Sequence, residues 1–275
     1  MNRFLKVFCF VMLPAFAVAE KASIIPYPMK YFEPFSHSVK DVSKIHINNF
    51  GMAGIVDLPS AAALPNGELI ISQRNHKTLS RTGATFQLTP RLGFSFRYTG
   101  HGKNGFEAAG RTNHDRSFDL KFNLITESKL LPAVSFGLRD FIGTGFYSSE
   151  YIVGTKTLGP IEVTAGLGFG RLAGRNQIAN PFSTISDSFK LRSAADIGLG
   201  GTLNNNPWFT GPASPFAGLT YALNDKFTLA AEYSPDLMTN EKSYLAVKSP
   251  YNVGLAYRWN EIISLNAQYL YGSPV

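Results

Sequence analysis

Between Phe118 and Tyr271 apolar side chains recur at every second position, in runs of about ten residues that end in a turn and start again. The clearest run is Phe118-Asp119-Leu120-Lys121-Phe122-Asn123-Leu124, in which Phe, Leu, Phe and Leu share one face and Asp, Lys and Asn the other. Period-two alternation is the mark of an antiparallel strand with one greasy and one polar face, and about ten residues suit a tilted strand crossing a bilayer. The polar face then needs water or partners.

The runs fall into pairs: Thr82 to Leu88 with Leu92 to Tyr98, Phe118 to Ile125 with Ala133 to Arg139, and Tyr151 to Lys156 with Ile161 to Phe169. Phe216 to Leu223 with Phe227 to Tyr233, and Tyr251 to Trp259 with Ile262 to Tyr271, complete them. Links inside pairs are tight, as at Leu158-Gly159-Pro160 and Asn224-Asp225-Lys226; links between pairs are long, as at Thr99 to Arg116 and Arg171 to Ser214. Short turns at one rim and long loops at the other are the arrangement of an outer-membrane barrel. Upstream, Gly51 to Ser72 reads as strand, turn, strand around Pro65-Asn66-Gly67, since Asn and Gly tolerate positive φ. The expected fold is an all-β, antiparallel transmembrane β-barrel of about twelve strands, eleven if Ala53 to Ala62 does not cross.

Arg3 and Lys6 precede the apolar stretch Val7 to Phe16, and Ala17-Val18-Ala19 offers small residues for cleavage, so residues 1–19 read as a signal peptide. Residues 20–50, with Pro26, Pro28 and Pro34 among aromatics, read as an irregular periplasmic or plug-like leader, and residues 51–275 as the barrel. Cys9, the only cysteine, lies in the removed segment behind Phe8, a poor context for lipid attachment. Disulfides, thiol nucleophiles and thiolate metal sites are thereby excluded from the mature chain.

Apolar content is 44% and charged content only 16%, yet no later stretch approaches the ~18 apolar residues of a spanning helix. The net charge of +7 falls to +5 once Arg3 and Lys6 leave, and the basic residues are scattered, so nucleic acid is not an expected partner. Tyr221, Tyr257 and Trp259 sit just before tight turns and Tyr98, Tyr233 and Tyr271 at opposite strand ends, as two interfacial girdles would require. Sandwich-core or sugar-stacking duty is the other reading of these rings.

Asp119, Lys121, Arg139, Glu162, Glu232 and Arg258 fall on the polar face and so point into the lumen, either as a salt-bridged filling or as the lining of a glycan path. Asp140 to Glu150 breaks the period and reads as a loop, in which Tyr147, Asp140 and Glu150 either contact sugar or brace the barrel from inside. Nothing places Asp140 and Glu150 as a glycosidase pair. The histidines, His37, His46, His76, His101 and His114, lack metal-ligand spacing, so neither metal nor cofactor is expected. Gly166-Leu167-Gly168-Phe169-Gly170 lies inside an alternating strand rather than before a helix, which favours close backbone packing over a phosphate loop.

Three segments resemble the YjbH family of Gram-negative outer-membrane proteins, which is related to GfcD: GMAGIVDLPSAAALPNG at Gly51 to Gly67, the stretch Asp115 to Lys156, and SPYNVGLAY at Ser249 to Tyr257 with Gly211-Pro212 upstream. The resemblance implies a non-enzymatic barrel serving exopolysaccharide or capsule export or assembly, surrounded by outer-membrane lipid and working with polysaccharide and other glycan-export proteins. Members of that family resemble two barrel regions in tandem, which implies that this chain is an N-terminal part that works with a second barrel half. Its last residues, Gly272-Ser273-Pro274-Val275, lack the terminal aromatic that many such barrels present for assembly. The alternatives are a general diffusion pore and a barrel-embedded lipid- or glycan-modifying enzyme.

Overall fold

The computed structural model describes residues 45–76, 79–101, 114–193, 202–203, 208–241 and 246–274. The proposed signal peptide, Cys9, His37 and most of the leader lie outside the described residues.

The chain forms one antiparallel sheet. Its long strands are β1 (Leu69–His76), β2 (Leu79–Gln87), β3 (Leu92–His101), β4 (His114–Ile125), β5 (Ala133–Gly143), β6 (Ser149–Leu158) and β7 (Ile161–Gly170), then β9 (Ala213–Ala222), β10 (Phe227–Tyr233), β11 (Tyr251–Arg258) and β12 (Ser264–Leu270). Two-residue strands β8 (Thr202–Leu203) and β13 (Ser273–Pro274) pair with β5 and β12 respectively. Each long strand lies beside its successor, from β1 to β7, then β9 to β12. No helix among the described residues is long and apolar enough to cross a membrane.

All the sequence-predicted pairs are present, but the count is eleven long strands among the described residues, not twelve. The difference is the stretch Ala53 to Ala62, which makes only isolated bridges (Ile47 with Ala53, Gly54 with Pro59) and does not cross. Its polarity explains this: Ala53, Ile55, Val56, Asp57, Leu58, Ser60 and Ala61 are all buried, so no face is left over for alternation. The chain then leaves through the Pro65–Gly67 turn, with Gly67 at φ +81, and enters β1 at the rim of the tight turns. The expected closure of the sheet into a barrel is not completed by any pairing of β1 with β12 among the described residues.

The two faces of the sheet have inverted polarity. On β4, Asp115, Ser117, Asp119, Lys121 and Asn123 are buried, while Phe118 and Leu124 are exposed and Leu120 and Phe122 half-exposed. β3 repeats it, with Ser95, Arg97 and Thr99 buried and Phe96 exposed. Exposed Leu69, Ile71, Leu219, Leu229, Val253 and Leu255 extend the apolar outer face around the sheet. Water-soluble sheets place these faces the other way round.

Two glycines permit close packing on the inner face. A Cβ on Gly166 would come 2.4 Å from Cζ of Phe216, its direct neighbour on β9, and one on Gly137 would come 2.2 Å from Cζ of Tyr151 on β6. Aromatic rings laid over strand glycines restore the packing that glycine forfeits. The glycine-rich stretch of β7 is thus a packing device, as its place in an alternating strand predicts. Gly137→Val is expected to displace Tyr151 and cost about 1–3 kcal/mol, read as a lower urea midpoint for loss of the folded gel form; an unchanged midpoint would refute the packing role.

Candidate functional site

Residues 45–64 lie against the buried face of the sheet, and hydrogen bonds from both halves of the sheet hold them there. Thr85 Oγ1 on β2 donates to Gly51 O (2.8 Å), Lys121 Nζ on β4 to Ser60 O (3.3 Å) and also to Ala62 O, and Asn123 Nδ2 to Ala61 O (2.7 Å). Arg139 Nη2 on β5 donates to Asp57 O (2.7 Å), and Thr155 Oγ1 on β6 accepts from Ala61 N (2.8 Å). Across the sheet, Asn49 Nδ2 donates to Gln268 Oε1 on β12 (2.8 Å). One segment that bonds to β2, β4, β5, β6, β10 and β12 requires the sheet to curl around it.

Glu232 on β10 supplies the densest anchor. Its Oε2 accepts from Val56 N (2.8 Å) and Leu58 N (3.0 Å), its Oε1 from Asp57 N (2.9 Å) and from Asn252 Nδ2 (2.9 Å). Three consecutive N–H groups converging on one carboxylate form an anion nest, and the segment's turns are shaped to make it. Within the segment Asn48 Oδ1 accepts from Phe50 N and Met52 N, and Asn48 Nδ2 donates to Leu58 O, so a single side chain fixes the local loop. Ile55, Val56, Leu58 and Ala61 pack with Tyr151, Val153, Phe216 and Ala230 in the main apolar cluster. Burial lowers His46 to about 4, so it is neutral there, and burial likewise raises Asp57, whose Oδ1 accepts from Asn49 Nδ2 at 2.6 Å.

Above this anchor, among the described residues, four guanidinium groups surround two aromatic rings. Arg81, Arg97 and Arg139 stand 4.6, 4.7 and 4.0 Å from the Phe50 centroid, and Arg81, Arg97 and Arg171 stand 5.0, 5.1 and 4.6 Å from that of Tyr147. Phe50 and Tyr147 meet edge to face at 5.8 Å. Ion pairs hold two of these cations, Arg97 with Asp119 at 2.5 Å and Arg171 with Asp236 and Glu241 at 2.7 Å each. Cation–π contact and ion pairing together let cations remain buried here. Burial pushes Tyr147 up to about 12, so its hydroxyl keeps its proton beside Arg81 Nη2 at 3.3 Å.

The structure therefore gathers Asp119, Lys121, Arg139, Asp140, Tyr147 and Glu232 inside, along with Glu150, which pairs with Arg192 at 2.7 Å. Glu162 and Arg258 are half-buried at the tight-turn rim, where Arg258 Nη1 donates to Asp225 O (2.6 Å). The expected loop from Asp140 to Glu150 is shorter than predicted: β5 runs on to Gly143 and β6 begins at Ser149. What broke the period is a bulge, for Phe118 pairs with Ile142 and Leu120 with Leu138. Asp140 takes a φ of 52, which turns its side chain inward beside that of Arg139. Its Oδ2 accepts from Tyr147 N (2.9 Å) and its N–H donates to Asp119 Oδ1 (2.9 Å). Tyr147, Asp140 and Glu150 are all buried, so this stretch packs against the inner face of the sheet.

Tyr271 also departs from expectation. It is buried and stacks on His76 at 6.1 Å instead of facing outward in a girdle, whereas Trp259 and Tyr221 are exposed. The described histidines are dispersed: His46 on the inner segment, His76 against Tyr271, His101 beside Phe146, His114 on Tyr98. The sequence reading missed Phe50, Asn48, Arg81, Arg97 and Arg171. For Arg97 the signal was present, because it sits in phase with Ser95 and Thr99 on the polar face of β3.

An antiparallel sheet with a polar buried face, an apolar exposed face and its own chain as filling defines the class of protein. The chain belongs to the YjbH family: residues 46–275 match the family described as exopolysaccharide biosynthesis protein YbjH. It is 32% identical over 233 residues to the uncharacterized lipoprotein YjbH of Escherichia coli (strain K12). That match covers 82% of this chain and 33% of the relative, so the chain spans about a third of the relative's length.

Proposed function

We propose that this chain is an outer-membrane β-barrel, occluded by its own residues 45–64, that acts without catalysis in exopolysaccharide export or assembly. The observation that carries the membrane reading is the inversion of polarity, with Arg97, Asp119, Lys121 and Glu232 buried while Leu69, Ile71, Phe96 and Phe118 are exposed. In water the exposed face would forfeit about 25 cal/mol per Å² of apolar surface, whereas lipid supplies an apolar surrounding. The rim of the tight β6–β7 and β9–β10 turns then lies toward the periplasm and the rim of the long β3–β4, β7–β9 and β10–β11 connections at the cell surface. An envelope location is in keeping with the name of the Escherichia coli relative, and the polysaccharide role with the description of the family. Outer-membrane lipid, the polysaccharide and other glycan-export proteins are its proposed partners.

The protein is expected to fractionate with outer membranes and to migrate faster on gels before boiling than after, because a hydrogen-bonded sheet wrapped around its own inner segment resists detergent. Recovery in the soluble periplasm would sink the membrane reading. The polysaccharide role is tested by deleting the gene in a strain that displays the polymer. Less surface polymer, or polymer of altered length, is the expected result, and an unchanged surface counts against the role. Restoring the gene with Arg139→Ala should leave the barrel in the membrane and impair export.

A further inference from the structure

Among the described residues the sheet leaves a seam between β1 and β12, and the geometry points to the kind of strand that fits it. A cavity of 820 Å³ runs along it. A cavity on one face of a strand is lined by every second residue, but this one is lined by all eight consecutive residues of β1 and by Ser264, Leu265, Asn266 and Gln268 of β12. It therefore takes in the edge of β1, where backbone N–H and C=O groups point sideways, and opens onto the inner face of the sheet beside Thr228, Ala256 and Gln268.

Three observations fix the shape of what fits there. Every neighbouring pair of long strands is antiparallel and there are eleven such strands among the described residues, so β1 and β12 run in the same direction. One strand placed between them would be antiparallel to both. That strand has already begun: after β12 the chain passes through Tyr271 and Gly272, with φ of 54 and 86, and returns as β13, with Leu270 opposite Ser273 and Tyr269 opposite Pro274. Two successive positive φ values are what a two-residue primed hairpin demands. The turn is held firmly, since Tyr271 N donates to Asn252 Oδ1 (2.9 Å), Lys248 N donates to Tyr271 O (2.9 Å) and the ring stacks on His76 at the end of β1. It aims the returning chain down the cavity.

We infer that the seam is the slot for a twelfth strand, formed by polypeptide continuing from Ser273–Pro274 antiparallel to β12 and β1, with apolar side chains toward lipid and small or polar ones toward Gln268 and Asn49. This rests on the barrel reading. A single strand between them sets β1 and β12 about 9.6 Å apart, twice the strand spacing, beyond the ~3.5–4.5 Å Cβ separation of a disulfide.

The test extends the full chain after Val275 by a segment as long as β1, alternating threonine and valine, with one cysteine at its middle. A second cysteine is placed at Ile71, Gln73 or Asn75 on β1, or at Ala267 on β12, and the disulfides formed in outer membranes are mapped. The expected result is a bond from the added segment to β1 in one variant and to β12 in another, with a higher urea midpoint than the unextended chain. Two results would overturn the inference: an inserted, heat-modifiable protein whose added segment bonds to neither edge, or an unextended chain in which Gln73→Cys and Ala267→Cys join each other directly. Failure of every variant, extended or not, to reach the membrane would instead remove the barrel reading on which the slot depends.

Discussion

Leu120→Arg is expected to abolish accumulation of the protein in the outer membrane. Leu120 lies mid-strand on the outer face of β4, between Phe118 and Phe122, and under the proposed membrane placement a charge there would sit near the bilayer midplane. An arginine on the lipid face at that depth costs about 2–4 kcal/mol, a large fraction of the ~5–15 kcal/mol that holds a folded domain. Lys121→Gln, one residue on, leaves the outer face untouched. The structure adds a second consequence, because Lys121 Nζ holds Ser60 O and Ala62 O of the inner segment. The Gln variant should therefore insert normally while loosening residues 60–62. Membrane level by immunoblot separates the two, and equal tolerance of both substitutions would refute the facing.

Glu232→Ala is expected to release the inner segment while the sheet remains inserted. The substitution strips the acceptor from the N–H groups of Val56, Asp57 and Leu58 and from Asn252 at once. A buried donor left without a partner costs about 1–3 kcal/mol, and three such donors outweigh most of what the apolar packing of Ile55, Val56 and Leu58 can retain. In planar bilayers the unaltered protein should show little steady conductance, because residues 45–64 fill the interior. The alanine variant should conduct, and its residues 45–64 should become sensitive to protease added at the tight-turn rim. Glu232→Gln, which keeps one carbonyl acceptor, should fall between them. A closed, protease-resistant alanine variant would show that the carboxylate is not the anchor, and a large stable conductance in the unaltered protein would favour a diffusion pore.

The bulge on β5 shows why part of the interior escaped the sequence. Alternation assigns Arg139 to the polar face and ends the strand at that residue, since Asp140, Phe141 and Ile142 no longer keep the period. In the fold the strand continues, and Asp140 adopts a left-handed backbone conformation that places two adjacent charged side chains inside. Bulges leave no fixed mark in a sequence, because they depend on what the neighbouring strand offers. Here that offer is Asp119 Oδ1, accepting from the Asp140 N–H.

The sequence by itself determined the strands, their turns and the facing of most side chains, including Asp119, Lys121 and Glu232, because a period of two is a local property of the extended backbone. Only the tertiary structure decided that residues 53–62 are filling rather than a crossing strand, that Tyr271 turns inward onto His76, and that Phe50 and Tyr147 sit among arginines from β2, β3, β5 and the loop after β7. Each of these depends on partners far along the chain: Glu232 and Asp57 are 175 residues apart, and Asn49 and Gln268 are 219. A buried polar group must find a partner somewhere, and curling of the sheet chooses which one, so periodicity could place such groups inside without saying what they hold.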